Sequence, residues 1–146
     1  MKIYFNASIT GKKEYGENYQ KIVDALQEMD HKVVYEHVFK TEINHLASES
    51  TKERAEHHKY VSSSLNNADL MVTEVSYPSV SVGYEIGLAL DKNKPVLALY
   101  ATESPPPALA GENSEKFIIA QYDPMDLKSS LQILINELVE LQDTRF

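Results

Sequence analysis

Glu85 lies in Val82-Gly83-Tyr84-Glu85-Ile86-Gly87-Leu88-Ala89-Leu90, a stretch that is otherwise aliphatic, small or aromatic. At helical spacing its neighbours are Ser81, Val82, Leu88 and Ala89. A carboxylate among such side chains loses hydration, and the start of a helix restores part of that stabilisation through its dipole. It is therefore either a plain acidic residue favoured by the dipole or a group kept there for chemistry. Gly83 and Gly87, one turn apart, either let the helix press against a strand or admit a ligand to the backbone. A second candidate is Ser8-Ile9-Thr10-Gly11, where two hydroxyls and a glycine precede a helix. Such a loop can cradle a phosphate with side-chain and backbone donors, or it can be an ordinary turn. Lys12 and Lys13 beyond it read as solvated charge. His57-His58 suggests a metal site. However, adjacent helical residues point about 100° apart and do not share an ion as i, i+4 pairs do, so no metal is expected. No Ser-His-Asp order can be placed around Tyr77 and Ser79, which argues against acyl transfer.

Short apolar runs alternate with stretches of helical period along the chain, the pattern of βαβ units. The expected strands are Lys2 to Ala7, Lys32 to Phe39, Ala68 to Val75, Pro95 to Tyr100 and Lys116 to Gln121. The first helix carries Tyr19, Ile22, Val23, Leu26 and Met29 on one face and stops at Asp30-His31. After the second strand, Lys40 to Lys52 lacks an apolar period and reads as a mobile surface loop. Ser50-Thr51-Lys52-Glu53 has capping-box spacing, and it opens a helix to about Asn67 with Ala55, His58, Val61 and Leu65 facing inward. A further helix spans about Ser81 to Lys92. Ser104-Pro105-Pro106-Pro107 opens a rigid loop. Asp123 followed by Pro124 begins a closing helix bearing Leu127, Leu131, Leu134, Leu138 and Leu141. These elements predict an α/β fold, a doubly wound five-stranded parallel sheet of flavodoxin-like or Rossmann-like type, in one domain over residues 1–146. Ligands of open parallel sheets bind beyond the carboxyl ends of the strands. That rule selects the loops Ser8 to Lys13, Ser76 to Glu85 and Ala101 to Gly111.

The 146 residues contain no cysteine and carry a formal net charge of −8. The first property removes disulfide frameworks, thiolate nucleophiles and Cys-ligated zinc. The second argues against general nucleic-acid binding, while a small anionic ligand remains compatible with local backbone donors. No stretch approaches the roughly 20 apolar residues of a membrane span, and Met1-Lys2-Ile3-Tyr4-Phe5 runs directly into a strand pattern, so a cytoplasmic protein is expected.

Three segments together resemble the nucleoside 2-deoxyribosyltransferase superfamily. They are Lys2-Ile3-Tyr4-Phe5-Asn6-Ala7-Ser8-Ile9-Thr10-Gly11, Ala68-Asp69-Leu70-Met71-Val72-Thr73-Glu74-Val75, and Pro78-Ser79-Val80-Ser81-Val82-Gly83-Tyr84-Glu85-Ile86-Gly87-Leu88-Ala89. Within that superfamily they most resemble the 2'-deoxynucleoside 5'-phosphate N-hydrolases. The resemblance implies cleavage of a base–sugar bond with retention through a glycosyl ester on Glu85, without a cofactor. By the same likeness Tyr4 contacts the nucleophile and the sugar. Ser8, Ile9, Thr10, Gly11, Ser79 and Gly83 bind the substrate, a nucleotide or nucleoside. Serine at position 79, where transferases carry an acid, favours a nucleotide. A homodimer with shared active sites is also implied, and Ser104 is the candidate for the residue lent by the neighbour.

The chain departs from that pattern in three places. Thr10, Lys12 and Lys13 stand where the hydrolases have glycine and arginine, Val61 stands where they have an aspartate thought to protonate the leaving base, and the loop after strand four is short and proline-rich. Two other readings stay open beside hydrolysis of (deoxy)nucleoside 5'-monophosphates. One is exchange of nucleobases by a transferase. The other is a non-catalytic nucleotide- or flavin-binding module, since Ser8-x-Thr10-Gly11 also resembles the phosphate loop of flavodoxins and Tyr77 or Tyr100 could flank an isoalloxazine ring.

Overall fold

The computed structural model describes residues 1–143; residues 144–146, the end of the expected 1–146 span, lie outside the described residues. Its five strands are β1 (Lys2–Ala7), β2 (Lys32–Val34), β3 (Leu70–Glu74), β4 (Val96–Tyr100) and β5 (Phe117–Gln121). They form one parallel sheet, as the alternating periodicities predict, and its strand order is β2-β1-β3-β4-β5. The helices are α1 (Lys12–Glu28), α2 (Glu36–Lys40), α3 (Thr51–Asn67), α4 (Val80–Asp91), α5 (Pro107–Ala110) and α6 (Lys128–Asp143).

Alternation along each strand divides the core into two layers. Ile3, Phe5, Leu70, Val72, Leu97 and Leu99 face α1 and α6, where they meet Tyr19, Ile22, Leu26, Leu131 and Leu138. Tyr4, Met71, Val96 and Ala98 face the opposite way, against Val61 and Leu65 of α3 and Val82, Ile86 and Ala89 of α4. β1 lies between β2 and β3, and five of its six residues are buried. A polar side chain on its α3/α4 face therefore has no access to bulk water and needs a partner from a neighbouring element.

Local signals set the helix ends. The capping box at the start of α3 is complete: Glu53 N–H donates to Ser50 Oγ at 3.1 Å, and Ser50 N–H donates to Glu53 Oε1 at 3.2 Å. Asp30 (φ 64°) and Asn93 (φ 60°) occupy the left-handed region just after α1 and α4, a conformation these two residue types tolerate better than most.

Several boundaries differ from expectation. The second strand ends at Val34, and residues 36–40 form α2. β2 is an edge strand with a single neighbour, so its continuation gains half the ladder bonds of an inner strand. Coiling instead buries Val38 completely and brings Tyr35 and Phe39, four residues apart, into an edge-on ring contact at 5.6 Å. The segment expected as a mobile loop holds a 3-10 helix over Ile43–Ser48. In α3, Val61 and Leu65 are buried while Ala55 and His58 are exposed. Asp123 does not cap a helix at Pro124; its carboxylate accepts the Met125 N–H at 2.9 Å in a turn, and α6 begins at Lys128.

Candidate active site

α4 starts where Ser79 accepts the Val82 N–H on its Oγ at 3.2 Å, so Ser79 is the cap and Glu85 falls in the second turn. Val82, Ile86 and Ala89 fill the apolar layer, and Glu85 belongs to the same buried side at 7% exposure. Opposite it stand Tyr4 and Asn6, two residues apart on β1 and thus on one face of the sheet. The Tyr4 hydroxyl donates to Glu85 Oε1 at 2.5 Å, and Asn6 Nδ2 donates to Oε2 at 2.8 Å. Both carboxylate oxygens are therefore held, the first by a short charge-assisted bond. Burial raises the Glu85 pKa, and the Tyr4 bond, His57 and Asn6 oppose that rise. Burial, reinforced by the Glu85 charge, pushes the Tyr4 phenol far up, so it stays a donor at any working pH.

His37, which the helical turn of α2 supplies, was not anticipated. Its ring stacks flat on Tyr4, with centroids 5.2 Å apart and planes 7° from parallel, and its Nε2 lies 3.2 Å from the Tyr4 oxygen. Because the Tyr4 proton points to Glu85, Nε2–H is the donor of that contact. Burial, with His57 nearby, pulls the His37 pKa down to about 4, so the ring is neutral at neutral pH. Its Nδ1 is buried with no hydrogen-bond partner among the described residues.

Glu85 opens on a cavity of about 180 Å³ at the carboxyl ends of β1 and β3. Ser8, Ile9, Thr10 and Ser79, named above as candidates for substrate binding, line it together with Asn6, His37, His57 and Ser81, which were not among those candidates. Tyr4 is fully buried and reaches the site only through Glu85 and His37. Gly11 stands behind the wall rather than in it. Its backbone is ordinary (φ −70°), its N–H donates to Ser8 Oγ at 3.1 Å, and an added Cβ would lie 2.6 Å from both Tyr77 Cβ and the Tyr19 hydroxyl oxygen. Glycine is thus required there by close approach, not by the turn. Gly83 lies outside this cavity, in a neighbouring one of about 220 Å³ shared with Pro106 and Leu109. A Cβ at Gly83 or Gly87 would meet nothing within 4 Å, so neither is a packing glycine. Lys12 is not solvated charge: its Nζ donates to the carbonyls of Phe39 and Thr41 and ties the first loop to α2. Tyr77 packs on Gly11 and Tyr100 joins the α3/α4 layer; neither borders the Glu85 cavity.

The arrangement is a desolvated carboxylate, fixed by two donors, beneath a cavity rimmed on one side by the Ser8–Thr10 loop that leads into α1 and on the other by the start of α4. Helix N-termini present unbonded N–H groups that suit an anion, and hydroxyls of Ser8, Thr10, Ser79 and Ser81 add to them. A carboxylate so held can act on an electrophilic carbon brought over it while the anion is bound at the rim.

Comparison with known proteins decides the family. The family model described as nucleoside 2-deoxyribosyltransferase matches residues 3–126. The chain belongs to the nucleoside 2-deoxyribosyltransferase family. Within this deoxyribosyltransferase family, it is 33% identical over 137 residues to a 5-hydroxymethyl-dUMP N-hydrolase of Tetraodon nigroviridis, covering 90% of this chain and 95% of the relative. It is 37% identical over 100 residues to a 5-hydroxymethyl-dUMP N-hydrolase of Danio rerio, covering 68% of each. The fold matches that of a CMP N-glycosidase of Clostridium botulinum with a TM-score of 0.64 at 16% identity, over 90% of this chain and 99% of the other. As a deoxyribosyltransferase family member the chain is an enzyme of the N-glycosidase or deoxyribosyltransferase class. No helix among its described residues is long and apolar enough to cross a membrane.

Proposed function

We propose that this chain hydrolyses the base–sugar bond of (deoxy)nucleoside 5'-monophosphates with Glu85 as the nucleophile. The observation that carries the proposal is the Glu85 carboxylate, gripped by Tyr4 and Asn6 and facing a cavity whose rim offers anion donors. With the 5'-phosphate at the Ser8–Thr10 and Ser79–Ser81 rim, the anomeric carbon sits over Glu85. A Glu85 oxygen forms a bond to that carbon as the carbon–nitrogen bond breaks, and the base leaves with the bonding electrons and takes up a proton. Water then attacks the same carbon, the ester bond breaks, and sugar phosphate is released as the carboxylate returns. Two displacements give retention. Tyr4 and Asn6 keep both oxygens aimed, and His37 keeps the Tyr4 hydroxyl turned toward Glu85 by occupying its acceptor side. The names of the relatives support a nucleotide as substrate.

A homodimer is part of the same proposal. On the side of α4 away from the core, Val80 is 92% and Tyr84 56% exposed, and Gly83 and Gly87 lie bare beside them. A second copy would cover this surface and put its own loop near the Glu85 cavity. Sedimentation of wild type against a Val80→Glu, Tyr84→Glu double variant tests it: the variant sediments as a monomer, and an unchanged profile refutes this interface. The soluble, charged substrate supports a cytoplasmic setting.

The reaction is tested by measuring free base released from a panel of deoxyribo- and ribonucleoside monophosphates and the matching nucleosides. Wild type releases base from monophosphates and Glu85→Ala does not. Loss of phosphate contacts costs about ten- to a hundredfold per charge-assisted hydrogen bond. Equal release by Glu85→Ala, or equal turnover of nucleosides, refutes the proposal. Base exchange appears only when a free base is added, which separates transfer from hydrolysis.

A further inference from the structure

Expelling a base leaves negative charge on its nitrogen, and a positioned acid at that atom is worth about 10² to 10⁴ in rate. The groups already assigned do not supply the proton. Glu85 is spent on the anomeric carbon. The Tyr4 proton is committed to Glu85, and burial makes the phenol a weaker acid still. His37 is neutral, with its Nε2–H given to Tyr4. Val61, on the α3 wall beside Glu85, is 3% exposed and carries no proton.

One turn before Val61, on the same side of α3, stands His57. It is the one histidine that lines both cavities bordered by Glu85, the one of about 180 Å³ and its neighbour of about 370 Å³ between α3 and α4. Its ring centroid lies 6.3 Å from that of His37 and 6.4 Å from that of Tyr60. Its neighbour His58 lines only the second of these cavities, and its Nε2 is engaged by the Tyr84 hydroxyl at 3.0 Å. The charged and titratable groups around His57 are His37 from α2, Glu49 before α3, Glu85 and Tyr84 from α4, and Arg54, His58 and Tyr60 on its own helix. Unlike Tyr4 and His37, His57 is solvent-exposed and can exchange its proton with water between turnovers.

We propose that His57 is the general acid of the reaction, giving its ring proton to the departing base. The assignment rests on the glycosidase reading of Glu85. As the carbon–nitrogen bond breaks and the Glu85–carbon bond forms, the imidazolium N–H proton passes to the base nitrogen, leaving neutral imidazole. In the second displacement that imidazole takes the proton of the attacking water as the ester bond breaks. The sum is one nucleotide and one water consumed, one base and one sugar phosphate formed.

The test uses 5-substituted deoxyuridine 5'-monophosphates, from 5-methyl to 5-nitro, whose bases leave with increasing ease. His57→Gln lowers kcat by about 10²- to 10⁴-fold on the 5-methyl compound and far less on the 5-nitro compound. It also removes the loss of kcat/KM that wild type shows as pH rises, because that limb reports the acid losing its proton. His57 is exposed, so the variant melts like wild type. Val61→Asp, set on the same helix face, restores part of the lost rate when added to His57→Gln. An unchanged substituent dependence and pH profile in His57→Gln overturns the assignment. So does the appearance of that signature in Glu49→Gln instead. If wild type releases no base, or Glu85→Ala releases as much, the glycosidase reading falls and His57 with it. If release depends on Glu85 but not on His57, only the present assignment falls.

Discussion

Replacing Tyr4 by phenylalanine removes one oxygen from a fully buried ring and leaves its stack on His37 in place. The missing oxygen donates to Glu85 Oε1 at 2.5 Å and accepts from His37 Nε2 at 3.2 Å. A hydrogen bond to a charged group is worth about 1.5–3 kcal/mol, and one pKa unit corresponds to about 1.4 kcal/mol. Burial already raises the Glu85 pKa and the Tyr4 hydrogen bond opposes that rise most strongly, so losing the donor moves it further up. Attack requires the carboxylate, so the pH at which kcat/KM rises shifts upward. Well above that limb the variant keeps most of its rate, since a carboxylate with one donor fewer is also more basic. The loss is therefore concentrated on the acid side, at about ten- to a hundredfold. Base release from a deoxynucleoside monophosphate, followed across a buffer series with a melting curve at each pH, gives the profile. An acid limb unmoved in a folded Tyr4→Phe protein refutes the claim that this hydroxyl sets the ionisation of Glu85.

Other perturbations have equally definite outcomes. Glu85→Gln abolishes base release yet melts higher than wild type at neutral pH. Burial raises the folded-state pKa of Glu85, so its contribution to stability falls as pH climbs from the ordinary carboxyl range through that raised value, and the two proteins converge in acid. A wild type that melts higher than Glu85→Gln at neutral pH contradicts this. Gly11→Ala drives a methyl to 2.6 Å from Tyr77 and Tyr19. Overpacking of that kind costs about 1–3 kcal/mol, a fall of roughly 3–10 °C in Tm for a chain of this size, and calorimetry reads it directly.

The sheet was legible because each strand announces itself as a short apolar run between helical periods, and Glu85 because a carboxylate interrupts such a run. Asn6 was within reach of the same logic: it lies two residues from Tyr4 and so shares its face, but an amide inside a strand reads as neutral until the partner across the gap is known. His37 was hidden by β2. Val33 to Phe39 fits a strand by composition, and only the Tyr35–Phe39 spacing hints at the helix that an edge position favours. His57 drew attention as half of a metal pair and was set aside with it, although a single imidazole beside a carboxylate needs no second histidine. Gly11 and Gly83 show the limit of reading glycine without coordinates. One is demanded by a tyrosine distant in sequence, and the other lies on the far side of its helix from Glu85.

The most direct test of Glu85 is to stop the reaction partway. Wild type is mixed with a deoxynucleoside monophosphate, quenched in acid during turnover, digested and examined by mass spectrometry. The account predicts a deoxyribose phosphate ester on the peptide that contains Glu85, absent from Glu85→Gln. A modified peptide elsewhere in the chain, or an inverted sugar product released by an enzyme that carries no adduct, would contradict it.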